Sequence, residues 1–107
     1  MAEPLKVIDA ITAAELADNG ALLVDVREDM EFAQARIPGS VNVPLSGLEA
    51  LDIPAAPDQP IIFFCASGNR TNVHRGRLQA KAGETPGYVL GGGIVEWAQA
   101  GLPIETD

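Results

Sequence analysis

Five short apolar runs punctuate the chain, and each reads as a strand. They are "LKVID" (Leu5 to Asp9), "ALLVDV" (Ala21 to Val26), "VNVPL" (Val41 to Leu45), "IIFF" (Ile61 to Phe64) and "YVL" (Tyr88 to Leu90). Runs as continuous as "ALLVDV" and "IIFF" are expected of strands buried on both faces of a parallel sheet. Helical segments fall between them. Thr12-Ala13-Ala14-Glu15 spells a capping box and Gly20 is a natural stop, which predicts a helix over 13–19. "EDMEFAQAR" (Glu28 to Arg36) is acidic at its start and basic at its end, as a helix dipole prefers. "IPGS" turns the chain, and Pro44 stops the third strand. A small helix is expected over Leu48 to Leu51, followed by the Pro-rich surface connection "DIPAAPDQP". Helices over Thr71 to Ala82 and Ile94 to Ala100 complete the pattern, the second preceded by the turn "GGG" and closed by Gly101 and Pro103. Strands alternating with helices predict an α/β class with a mainly parallel sheet. At 107 residues, without repeats or a low-complexity tract, the chain reads as a single domain over 1–107.

Composition narrows the function. A 47% apolar content and a mean hydropathy of +0.12 are ample for a core. The net charge of −8 argues against nucleic acid as a general partner and against anionic membrane surfaces. No apolar run approaches the ~20 residues needed to span a bilayer, and "MAEPLKVIDA" has no signal-peptide pattern. A single cysteine excludes an internal disulfide, a zinc knuckle and a CxxC pair, and fits a reducing, cytoplasmic setting. No cofactor or metal is expected.

That one thiol, Cys65, stands where "IIFF" ends. Ligands of open α/β sheets gather at the carboxyl ends of strands. The residues that follow, Ala66, Ser67, Gly68, Asn69 and Arg70, are small, polar or basic, and a helix is expected to start at Thr71. Successive backbone N–H groups ahead of a helix start form a cradle for an anion, and the same field favours thiolate over thiol. Gly68 permits close approach and an unusual φ. Charge is distributed to match: none of the 15 acidic residues lies between 59 and 83, whereas Arg70, Arg75, Arg77 and Lys81 do, with the only histidine, His74. Such a segment would draw a small anion to the thiol. Asp25 and Arg27 end the second strand near the same sheet edge, either touching substrate or bracing the cysteine loop through hydrogen bonds and an ion pair. Trp97 reads as a core anchor, and Gly91 to Gly93 as a turn, since they lack the GxGxxG or Walker pattern.

With these residues in view, the sequence resembles the rhodanese-homology domain, the sulfurtransferase family, over nearly its whole length. "LLVDVREDMEFAQARIPGSVNVPL", "CASGNRT" and "GGGIVEW" resemble its N-terminal signature, active-site loop and C-terminal signature, in that order. The resemblance implies a five-stranded, mainly parallel sheet flanked by helices on both faces. It also implies a persulfide on Cys65, with the backbone amides of residues 66–71 and the Arg70 side chain binding an anionic sulfur donor such as thiosulfate. A protein persulfide could serve as donor in its place, and the acceptor would be cyanide or a thiol. Two positions depart from the family pattern. Arg36 in "RIPGS" replaces a frequent histidine, at a position that is mainly structural in the family. His74 and Arg75 stand where two small residues are common. They lie one turn before Leu78, so either the helix tilts to release them or they approach the active site.

Two other functions compete. A cysteine phosphatase or arsenate reductase could use a related fold, but such enzymes carry cysteine and arginine six positions apart, usually with histidine before the cysteine. Here Arg70 is five positions after Cys65 and Phe64 precedes it. A non-catalytic docking module typically loses the cysteine, which this chain keeps within a complete loop.

Overall fold

The computed structural model describes residues 4–106. In chain order the elements are β1 (Lys6–Ile8), α1 (Ala10–Asp18), β2 (Leu22–Asp25), α2 (Asp29–Gln34), β3 (Ala35–Arg36) and β4 (Val41–Asn42). A 3₁₀ turn (Leu45–Gly47), β5 (Ile61–Phe64), α3 (Asn69–Val73), α4 (Arg75–Ala82), β6 (Gly87–Leu90), α5 (Gly93–Gln99) and β7 (Glu105–Thr106) follow. The five predicted strands form one sheet in the order β1-β6-β5-β2-β4, parallel throughout. This is the expected α/β class and strand number.

Alternation along the central strands divides the core between the two faces of the sheet. Val24, Ile61, Phe63 and Val89 pack with Leu78 and Ala82 of α4 and with Leu45 and Leu48. Leu23, Ile62, Phe64 and Leu90 pack with Ala10 and Ala13 of α1 and with Ile94 and Trp97 of α5. Trp97 is the anchor its sequence position suggests: its indole Nε1 donates to the Pro103 carbonyl at 2.8 Å. Among the described residues no helix is long and apolar enough to cross a membrane.

Several boundaries differ from the sequence pattern, each for a local reason. The first helix begins at Ala10, and its cap is Asp9, whose Oδ1 accepts the Thr12 N–H at 2.8 Å. Thr12 and Glu15 already lie inside the helix, so the box they spell never forms. Gly20 does stop it: the Gly20 and Ala21 N–H groups bond back to the Ala17 and Leu16 carbonyls. The second helix ends at Gln34, because Ala35 and Arg36 leave it to pair antiparallel with β7. Arg36 secures that exit: it meets Glu105 at 2.8 Å, lies over the Phe32 ring and donates to the Phe32 and Ala33 carbonyls. The third strand stops at Asn42, and the helical turn near it is the 3₁₀ turn directly after Pro44, not a helix over Leu48 to Leu51. The single helix expected over Thr71 to Ala82 is two helices. His74 leaves helical geometry (φ −103°, ψ 22°) and sets α4 on a new axis.

Candidate active site

β5 delivers Cys65 to the carboxyl edge of the sheet, one residue beyond Phe64. The thiol is 1% exposed. Its Sγ accepts the Gly68 N–H at 3.2 Å and lies 3.7 Å from Thr71 Oγ1, which in turn donates to the Gly68 carbonyl at 3.0 Å. Burial opposes ionisation and is the largest single influence on the thiol. The Thr71 amide and hydroxyl and the Gly68 and Arg70 amides act the other way and together outweigh it, so the pKa falls below that of an ordinary cysteine. Residues 65–71 thus curl around the sulfur with backbone N–H groups turned inward, while the Ser67 and Asn69 side chains stay exposed.

The three glycines after β6 hold this curl from outside. The first N–H groups of α5 are spent on the loop: Ile94 donates to the Cys65 carbonyl at 2.9 Å, and Val95 to the Ala66 carbonyl at 3.0 Å. The backbones must touch for this to happen. Gly68 sits at φ +95°, and a Cβ there would lie 1.8 Å from the Gly91 carbonyl oxygen. Gly93, at φ +63°, would place a Cβ 2.4 Å from the Ala66 carbonyl oxygen. A turn was legible in "GGG"; its packing against the cysteine loop was not, because a glycine run does not say which backbone approaches it.

Arg70 does not extend freely beside the thiol. Its guanidinium grips Glu31 of α2 through two hydrogen bonds, Nη1–Oε1 at 2.7 Å and Nη2–Oε2 at 2.9 Å. Those bonds, against opposing desolvation, hold the Glu31 carboxyl down to about 2. Glu31 is the residue that sequence reading missed. Its signal, an acid inside an amphipathic helix, is shared with many solvated glutamates.

Asp25 and Arg27 form a buried bidentate pair, Nε–Oδ1 at 3.0 Å and Nη2–Oδ2 at 2.7 Å. Arg27 also donates to the Ala35 carbonyl at 2.6 Å, tying the end of α2 to the end of β2. Asn42 closes the brace from β4, donating to the Asp25 and Arg27 carbonyls. The pair braces the ends of α2, β2 and β4; no hydrogen bond from either side chain to the cysteine loop is present among the described residues. His74 turns to Arg77, its Nδ1 3.2 Å from Nη1, and Arg77 is itself clamped by Glu49 and the Leu45 carbonyl. Arg75 instead lines a cleft together with Ser67, Gly68, Asn69 and Thr71. Of the two outcomes left open for these residues, the break at His74 releases one and brings the other to the loop. The basic segment is therefore less basic in space than in sequence, since carboxylates from α2 and the 45–50 region pair with Arg70 and Arg77.

Comparison with known proteins agrees with this geometry. The profile of the Rhodanese-like domain matches residues 9–100. The thiosulfate sulfurtransferase GlpE of Ectopseudomonas mendocina is 36% identical over 101 residues, covering 94% of this chain and 91% of that protein. The uncharacterized protein slr1261 of Synechocystis sp. is 35% identical over 86 residues, but the match covers only 47% of its length and 79% of this chain. Among solved structures, a rhodanese-related protein from Thermoplasma volcanium superposes with a TM-score of 0.80 at 26% identity, covering 95% of this chain and 99% of the other.

Proposed function

The chain belongs to the rhodanese-like domain family, and from that premise we propose that it is a sulfurtransferase carrying sulfane sulfur as a persulfide on Cys65. The observation that carries the reading is the Gly68 N–H donated to Sγ at 3.2 Å, inside a loop whose amides outweigh burial and favour the thiolate. A thiolate is the nucleophile this chemistry needs. With thiosulfate as donor, Sγ attacks the outer sulfur, the S–S bond of thiosulfate breaks, and sulfite leaves with the electron pair. The persulfide stays in the curl, where the amides of Gly68, Arg70 and Thr71 stabilise its charge as they favour the thiolate. Cyanide or a thiol then takes the outer sulfur, and Sγ leaves as thiolate. The 36% identity to a GlpE thiosulfate sulfurtransferase over most of both chains favours thiosulfate as donor.

The phosphatase alternative fits less well. A phosphate-binding loop presents its arginine to the ligand, whereas the Arg70 guanidinium is held by Glu31. A docking module would have no use for a thiol whose pKa the loop amides lower. The test is the intact mass of the protein after incubation with thiosulfate. One added sulfur atom is expected in the wild type and none in Cys65→Ser; an unchanged wild-type mass overturns the reading.

A further inference from the structure

A cleft of about 400 Å³ opens beside the cysteine loop, within the range of small-molecule sites. Its apolar side comes from sheet register. Val24, Phe63, Val89 and Val7 stand in one row across β2, β5, β6 and β1. The first three are buried, whereas Val7, on the edge strand, is 55% exposed. Val7 is therefore the exposed apolar side chain of the cleft, with the buried Val89 beside it in register. The polar side consists of Ser67, Asn69, Asn72 and Arg75. Among the described residues no acidic side chain lines the cleft. Arg70 and Arg77 are each saturated by a glutamate, whereas Arg75 makes no hydrogen bond or ion pair among the described residues. Arg75 is the first residue of α4, directly after the break at His74, and it lines this space.

The cleft and the thiol share a wall. The two groups nearest Sγ, the Gly68 N–H at 3.2 Å and Thr71 Oγ1 at 3.7 Å, belong to residues that also line the cleft. Cys65 itself does not line the cleft, but the outer sulfur of a persulfide projects about 2 Å further from Sγ. One guanidinium among neutral amides and a hydroxyl matches a monoanion; a dianionic phosphate would call for more than one positive charge. Resting on the persulfide reading above, we propose that this cleft seats the carboxylate and carbon chain of a small thiol acceptor. Arg75 takes the carboxylate, the exposed Val7 takes the methylenes, and the thiol crosses the loop rim at Ser67 and Asn69. The acceptor thiolate attacks the outer sulfur of the Cys65 persulfide, a new S–S bond forms, and the bond to Sγ breaks. Sγ departs as thiolate and the sulfur leaves on the acceptor as its own persulfide, with no net oxidation. A neutral thiol of the same size lacks the anchor.

The experiment has two arms. In the first, thiosulfate-loaded wild type, Arg75→Gln and Lys81→Gln are discharged with 3-mercaptopropionate and with 2-mercaptoethanol. The ratio of the two rate constants is compared between proteins, which cancels the intrinsic reactivity of the thiols. The ratio is expected to fall about tenfold in Arg75→Gln, the loss of one charge-assisted contact, and to stay at the wild-type value in Lys81→Gln. An unchanged ratio in Arg75→Gln, or an equal fall in Lys81→Gln, overturns the proposal. In the second arm, unloaded protein is titrated with 3-mercaptopropionate while backbone amide resonances are followed. Residues 67–69, 72 and 75 are expected to shift in the wild type and not in Arg75→Gln. If thiosulfate never loads the protein, the persulfide reading fails and the second arm alone decides whether the cleft binds; if loading succeeds and those amides stay still, the cleft proposal fails by itself.

Discussion

Both terminal nitrogens of Arg70 meet both carboxylate oxygens of Glu31, at 2.7 Å and 2.9 Å. The pair joins the helix after β2 to the helix after the cysteine loop, across 39 residues of sequence. It means that the cation nearest the thiol is already satisfied before any donor arrives. On the sulfurtransferase reading proposed above, donor binding would then rest mainly on backbone amides, which carry no net charge.

Removal of the guanidinium should accordingly be mild for catalysis. Arg70→Ala is expected to lower kcat/KM for thiosulfate only a few-fold, as for a screened charge. A loss nearer a hundredfold would mean that Arg70 leaves Glu31 to contact the anion directly. Glu31→Gln, which frees the guanidinium, should raise the same constant a few-fold. Both side chains are about a third exposed, so the pair contributes roughly 0.5–1 kcal/mol at neutral pH. The sign of its pH dependence follows from the Glu31 carboxyl, held at about 2 against an ordinary 4.5. The contribution is complete above about pH 4.5 and is lost as pH falls toward 2. Urea unfolding of wild type and Glu31→Gln should show a stability gap at pH 7 that closes across that window.

The thiol supplies a second prediction. Cys65→Ser should end thiosulfate-dependent thiocyanate formation, since the chain has no other thiol, while changing stability by no more than about 1 kcal/mol. In the wild type, alkylation rate against pH should have its midpoint below the free-cysteine value of about 8.5. Thr71→Val removes the hydroxyl 3.7 Å from Sγ and should move that midpoint up. A wild-type midpoint at or above the free value would show that the amide cradle does not act on the sulfur.

What could be read from the sequence follows a physical divide. The parallel sheet, the loop at its carboxyl edge and the thiol within that loop all rest on local signals: continuous apolar runs, a glycine, a following helix. The Glu31–Arg70 and Glu49–Arg77 pairs do not. Each joins residues far apart in the chain, and a carboxylate on an exposed helix face carries no mark of its partner. The acid-free window around Cys65 was therefore real as sequence and misleading as electrostatics. The break at His74 was hidden for another reason, because nothing in "NVHRGR" is a strong helix breaker except Gly76, which lies within α4. β7 was missed because a two-residue strand leaves no periodicity to detect.

Arg27 offers a test of the brace beneath the site. Its guanidinium is 7% exposed and the Asp25 carboxylate is fully buried. Arg27→Ala would strand that carboxylate, at a cost of about 3–5 kcal/mol. Arg27→Lys keeps the charge but loses the fork that serves Asp25 and the Ala35 carbonyl together, so it should recover only part of the loss. Thermal or urea unfolding checks both. Equal stability of Arg27→Ala and wild type would mean that water reaches Asp25.

Gly68 is where fold and chemistry meet, so its substitution should be read on both. A Cβ at this position would lie 1.8 Å from the Gly91 carbonyl oxygen, a backbone atom that cannot step aside, and φ is +95°. Gly39 separates the two effects: its φ is +83°, yet nothing lies within 4 Å of its Cβ position. Gly39→Ala should cost only the conformational strain, about 1–2 kcal/mol. Gly68→Ala should cost about 3 kcal/mol or more, because the loop must also separate from the turn after β6. That separation has a chemical signature. The Gly68 N–H would withdraw from Sγ, and the Ile94 and Val95 donors would lose their hold on the Cys65 and Ala66 carbonyls. The thiol midpoint of the folded protein should then rise, and thiosulfate should load sulfur more slowly. Alkylation against pH, run under conditions where Gly68→Ala remains folded by circular dichroism, distinguishes this from simple instability. A variant that loses stability but keeps the wild-type midpoint would show that the contact with Gly91 serves the fold alone.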